Sequence, residues 1–178
     1  MLELLEKLES SEKFREWKSN NPGYYLSSCF SMGKKNEQQS WQFHYYNKPN
    51  DKIVAFDMGK KINIQPESKV FKKKEDIVEP LQLNKVKIDL KQALEKIYAL
   101  EKYKDNDFTQ EIRLLQQVKQ PVWNISLLTD TYLILNVKLS AISGKIIHES
   151  FESLLNFKSE MFTKDSDDSA ESHNSTQS

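Results

Sequence analysis

One cysteine, three histidines and a scatter of carboxylates are all that the sequence offers for catalysis or metal binding. Cys29 is the candidate nucleophile. A cysteine attacks as its thiolate, so it needs a base or a positive field close by, and the imidazoles on offer are His44, His148 and His173. Cys29 stands among Leu26, Phe30 and Met32 in a stretch that reads as a strand. The expectation is a buried thiol acting as a small apolar side chain. His44 alternates with Trp41 and Phe43, which places it on the opposite face of its strand beside Tyr46, as a solvent-facing residue. No H-x-H, H-E-x-x-H or C-x-x-C spacing occurs, so no metal site is expected. Asp105 and Asp107 fall in a helix-ending loop, and Asp165, Asp167 and Asp168 in the terminal tail. Neither group has the apolar surroundings that would drive two carboxyl pKa values apart. The four glycines do not gather into a phosphate-binding loop. No catalytic residue, cofactor or metal is expected.

The remaining candidates are surfaces. Lysine plus arginine equals aspartate plus glutamate at 26 each, so there is no global positive field and no nucleic acid is expected as a partner. The strongest local patch is VFKKKED at 70–76, with Lys72, Lys73 and Lys74 joined by Lys60, Lys61 and Lys69. It reads first as a solvated edge, since lysines there discourage sheet-to-sheet aggregation, and second as a contact for an acidic partner. Tyr24, Tyr25, His44 and Tyr46 form an aromatic set of the kind enriched where proteins meet. These four, with Lys72, Lys73 and Lys74, are the candidate partner-binding residues.

Positioning such residues requires a core, and the apolar residues are clustered enough to make one. Residues 2–19 have a helical period in Leu4, Leu5, Leu8, Phe14 and Trp17, with Ser11 filling a gap, before a stop at Asn20-Asn21-Pro22-Gly23. Strands follow at 24–32, 41–46 and 52–58, and a short closing hairpin at 62–71 around Pro66 and Glu67. A charged connector spans 72–88. The order then restarts. Asp89 and Gln92 form a capping box for a helix with Leu90, Ala93, Leu94, Ile97 and Tyr98 on one stripe. Strands follow at 108–120, with Ile112, Leu114 and Val118 on one side, at 121–128, and at 132–141, with Leu133, Leu135, Val137, Leu139 and Ala141 on one side. The helix, strand, Trp-bearing strand, strand order thus occurs over 2–75 and again over 86–150, with Trp41 and Trp123 in matching places. This predicts an internal repeat. A short terminal helix is expected over 149–162, followed by a tail at 163–178 too polar to offset its ordering entropy.

The second unit resembles a PepSY-type domain. The residues that carry the likeness are Pro121, Val122, Trp123, Ile125, Leu135, Val137, Leu139, Ser143, Gly144, Lys145 and Ile147. The acidic residue usual before the turn is replaced by Leu139-Ser140-Ala141-Ile142. The first unit matches only at Trp41 and Phe43. The resemblance implies a non-catalytic domain of the kind found in propeptides of secreted peptidases, where it inhibits or assists folding.

The expected fold is therefore α+β, with two tandem units, each an N-terminal helix packed on an antiparallel meander (PepSY- or cystatin-like). The expected bounds are 1–78, 79–150, a terminal helix at 151–162 and a disordered acidic tail at 163–178. The expected function is non-enzymatic binding of a protein or peptide, which the resemblance implies to be peptidase-inhibitor-like, with a small ligand held between helix and sheet as the alternative. The lone cysteine fits a reducing compartment. MLELLEKLESSEKF lacks the unbroken apolar stretch of a signal peptide, and no run is long enough to span a membrane. A cytoplasmic location is expected.

Overall fold

A computed structural model describes residues 1–70 and 77–154. Lys72, Lys73 and Lys74, the tail at 163–178 and all but the start of the expected terminal helix lie outside the described residues. The chain opens with two nine-residue helices, α1 (Leu2–Ser10) and α2 (Glu12–Asn20), where one was expected. Ser11 separates them. Its backbone is extended, its hydroxyl donates to the Leu8 carbonyl (2.6 Å) and accepts from the Phe14 N–H (3.2 Å). Serine competes well for backbone hydrogen bonds, so it ends one helix and caps the next.

Strands β1 (Tyr25–Lys34), β2 (Gln42–Asn47), β3 (Lys52–Met58), β4 (Ile62–Ile64) and β5 (Ser68–Lys69) follow. The expected hairpin near Pro66 is not formed. Both β4 and β5 pair with β3 along the same edge. Proline lacks a donor, and here it separates two short edge segments. Past the connector come α3 (Leu90–Tyr98) and strands β6 (Phe108–Val118), β7 (Gln120–Thr129), β8 (Leu133–Ser140) and β9 (Ile146–Ser153). The capping box stands as the sequence predicts: Asp89 Oδ1 accepts the Gln92 N–H at 2.8 Å, and Gln92 Oε1 accepts the Asp89 N–H at 3.0 Å. Phe151, Glu152 and Ser153 extend β9 instead of belonging to a helix. Their backbone is taken up by β8, which pairs along Leu133–Leu139.

All nine strands form one sheet in the order β4-β3-β2-β1-β6-β7-β8-β9, with β5 beside β3. Outward from the central β1–β6 pair, both sides run in chain order. The architecture is α+β: helices on one face of a large antiparallel sheet. One cross-strand row shows how the core is built. Phe56, Phe43, Cys29, Leu115, Trp123 and Leu139 lie opposite one another across six strands, and all are buried. Directly paired residues share a face, so this row places all three helices on the same side. α2 reaches it through Phe14 and Trp17, whose rings pack on Tyr45 and Phe56, and α1 through Glu9, which accepts from the Tyr45 hydroxyl at 2.9 Å. α3 reaches it through Ala93 and Ile97, and through the Tyr98 hydroxyl, which donates to buried Glu111 at 2.7 Å.

Ile112, Leu114 and Val118 do share a side of β6, but it is the side away from the helices. Val118 is 54% exposed. Alternation identifies a strand's two faces without saying which is covered, and here the covered face holds Glu111, Arg113, Leu115 and Gln117. Glu111 is tolerated there because Arg113 Nε donates to it (2.8 Å) alongside Tyr98.

On β1 the helix-facing side chains are small: Cys29, Ser31 and Gly33. Large side chains from the flanking strands fill the middle, and a hollow remains between the start of α1 and the start of α3.

Candidate functional site

Of the four aromatic candidates, none presents an open surface. Tyr24 and Tyr46 are buried. The Tyr24 hydroxyl donates to Glu67, which also pairs with Lys52, and its ring packs edge-on against Trp17 at 5.2 Å. Tyr46 donates to Asp51 Oδ1 at 2.6 Å. Burial, reinforced by these carboxylates, pushes both phenols up to about 12. Tyr25 packs on Tyr46 and donates to the Val78 carbonyl at 2.8 Å. His44 is half-buried, where a solvent-facing residue was expected. Its ring stacks on Phe30, Nδ1 meets Ser28 Oγ at 3.0 Å, and burial lowers its pKa to about 4. Neighbouring rings and hydrogen-bond partners from other segments cover these side chains, and an alternating pattern does not encode them.

Cys29 is fully buried, as the sequence predicts, and burial pushes its thiol up to about 12. Its cross-strand neighbours on the sheet are Phe43 and Leu115, both apolar. Among the described residues no group of three or more His, Cys, Asp or Glu is placed to hold a metal ion.

The feature that the sequence left unassembled is the hollow itself. Trp41 precedes β2, and its carbonyl accepts from the Met58 N–H at 2.8 Å, so the β2–β3 ladder fixes its position. Trp123 lies in β7. Their rings meet edge-on with centroids 6.5 Å apart. The connector crosses the ends of the strands, where Lys87 and Ile88 both donate to the Ala141 carbonyl. It thereby brings Val86, Lys87 and the start of α3 over the two indoles. Leu2 and Glu3 of α1 form the opposite wall. Together these border an open cleft of about 570 Å³ lined by Leu2, Trp41, Val86, Leu90 and Trp123, with Glu3, Lys87, Asp89 and Lys91 as its charged residues. That volume falls within the usual range for small-ligand sites.

The polar groups of the cleft are unevenly engaged. Trp123 Nε1 donates to the Ile88 carbonyl at 2.8 Å, which ties the connector to the sheet. Trp41 is only 7% exposed, yet its indole N–H donates to no acceptor among the described residues. It is also not a sealed atom. Among the described residues, the buried side-chain atoms without a partner are Ser31 Oγ and Gln39 Oε1. At the first turn of α3 the capping box satisfies Asp89 and Gln92, whereas the N–H groups of Leu90 and Lys91 have no acceptor among the described residues. The wall carries no histidine or cysteine. Such an arrangement can hold an apolar body and receive hydrogen-bond acceptors at one end.

No family model and no curated protein matches the chain. A solved structure, described as a "putative lipoprotein" of Clostridium difficile 630, is similar at a TM-score of 0.52 and 13% identity, covering 79% of this chain and 91% of that one. At that identity the likeness concerns the fold alone. No helix among the described residues is long and apolar enough to cross a membrane.

Proposed function

We propose that this chain is a non-enzymatic binding module that takes its ligand in the hollow between the helices and the sheet. One observation carries the reading: a cleft of about 570 Å³ floored by two indoles in edge-to-face contact. Aromatic floors give large contact area at low entropic cost. The proposal includes a tandem origin, with each helix-plus-strands half a PepSY-like unit. The strand order outward from β1–β6 supports it, as does the entry of one tryptophan per half at the second strand, the two meeting at the cleft.

A second reading, recognition of a protein or peptide by strand addition, is favoured by β9. It ends the sheet, is eight residues long, and exposes Ile147 at 52% and Phe151 at 36%. An exposed edge of this length can take an extended peptide, and a peptidase-inhibitory role would use the same edge. A cytoplasmic location stays part of the proposal on the strength of the lone thiol. Cell fractionation tests it directly, with a membrane-associated pool as the contrary result.

Thermal-shift and tryptophan-fluorescence screens against apolar small molecules and peptides separate the two readings. Val86→Phe fills the cleft, and Ile147→Pro breaks the β9 edge. A cleft ligand raises Tm in the natural chain and in Ile147→Pro but not in Val86→Phe. A ligand lost only in Ile147→Pro overturns the cleft in favour of the edge.

A further inference from the structure

We infer that the outer face of the sheet is the docking surface for the chain's own residues 155–162, Leu-Asn-Phe-Lys-Ser-Glu-Met-Phe, which follow directly on β9. All three helices lie on the other face. On the outer one, cross-strand pairing sets Met32 beside Ile112 and Phe30 beside Leu114 in the middle of the sheet. Toward β9 it sets Leu128 beside Ile134. Leu128 opposes Gln110 and is therefore the diagonal neighbour of Ile112, so the six side chains form one patch. Met32 is 60% exposed and the other five are half-buried. An apolar patch of this kind marks a contact.

Three observations identify what covers it. The first is where the chain leads. The Leu154 N–H donates to the Tyr132 carbonyl at 2.8 Å, and Leu154 lines an outer-face hollow of about 300 Å³ with Ile134, Ser126 and Glu152. The chain therefore leaves β9 on the rim of the patch. The second is reach. From β9 to β1 is four strand spacings, about 19 Å, and eight residues can extend about 26 Å. The third is composition. Leu155, Phe157, Met161 and Phe162 place four large apolar side chains within eight residues, and 163–178 contains none. Tethering decides for this segment over a separate protein. A free partner has to bury roughly 1,200 Å² in all to hold, more than these six side chains offer. A tied segment acts at an effective concentration on the order of 5 mM, so a dissociation constant of only about 1 mM keeps the face covered most of the time.

The test is oxidation of methionine by hydrogen peroxide in the full chain, followed by mass spectrometry of its peptides. Met32 reports on the patch, and Met58, buried in the core, reports on the integrity of the fold. Phe157→Ser with Phe162→Ser removes two apolar anchors without touching any described residue. Met32 of the natural chain is expected to oxidise about 5-fold more slowly than Met32 of the double variant, with Met58 equally slow in both. A second comparison needs no variant: Met161 in the natural chain should oxidise about 5-fold more slowly than Met161 in a synthetic peptide of residues 155–162. Equal rates in either comparison overturn the proposal. Protection of Met32 that disappears on dilution from about 100 μM to about 1 μM follows mass action between chains; it assigns the face to a second copy and likewise overturns the proposal.

Discussion

His44 allows a quantitative test of the sheet's outer face. Its imidazole is stacked on Phe30 at a centroid distance of 6.0 Å and held by Ser28 at 3.0 Å. Burial lowers its pKa from 6.5 to about 4. In the unfolded chain it protonates near 6.5, so in the interval between the two values the unfolded state binds more protons than the folded one. Stability from this residue is fully present above about pH 6.5 and is lost as the pH falls toward 4. The gap corresponds to about 3 kcal/mol at its full extent. His44→Gln retains a polar side chain that does not titrate. Urea unfolding followed by tryptophan fluorescence, between about pH 7.5 and pH 4, should show the variant gaining on the natural protein by that amount. With a urea slope of about 2 kcal/mol/M, the relative midpoint moves by about 1.5 M. Other acids titrate in this range, but they do so in both proteins, so the difference isolates His44. Parallel pH profiles, or an imidazole that titrates near its ordinary value by NMR, would refute the reasoning.

The Glu111–Arg113 pair provides a second check. Glu111 is 3% exposed and accepts from Tyr98 and Arg113, so Glu111→Ala should cost about 3–5 kcal/mol in chemical denaturation by leaving a guanidinium without its partner. A double replacement, Glu111→Leu with Arg113→Met, should recover most of that loss, and a double variant as unstable as the single one would contradict this account. Cys29, fully buried with its thiol pushed to about 12, should resist iodoacetamide in the native protein and react fully in denaturant. Native alkylation at the rate of a free thiol would show that the site opens.

The sequence by itself determined many of the elements, though not the break at Ser11, the pairing of β4 and β5, or β9. Helix period, strand alternation and the Asp89–Gln92 capping box are local signals, written within a few residues, and they hold in the structure. The helix-facing side of β8 was legible for the same reason: Leu135, Val137 and Leu139 are buried along it. Where both sides of a strand carry aliphatic residues, as in β6, alternation could not say which side meets the helices. That depended on Glu111 finding Arg113 on its own strand and Tyr98 from α3.

Ser11 shows the local limit. Its hydroxyl can fill a gap in one helix or end it, and the Leu8 carbonyl and Phe14 N–H decided in favour of two helices. The cleft shows the long-range limit. Trp41 and Trp123 are 82 positions apart in the chain, and each alone reads as core. Only the antiparallel pairing of β1 with β6 joins the two halves into one sheet. The connector then lays Val86 and the first turn of α3 over the indoles. Burial and juxtaposition of this kind arise from which strand edges meet, a choice made by the whole chain and recorded at no single position.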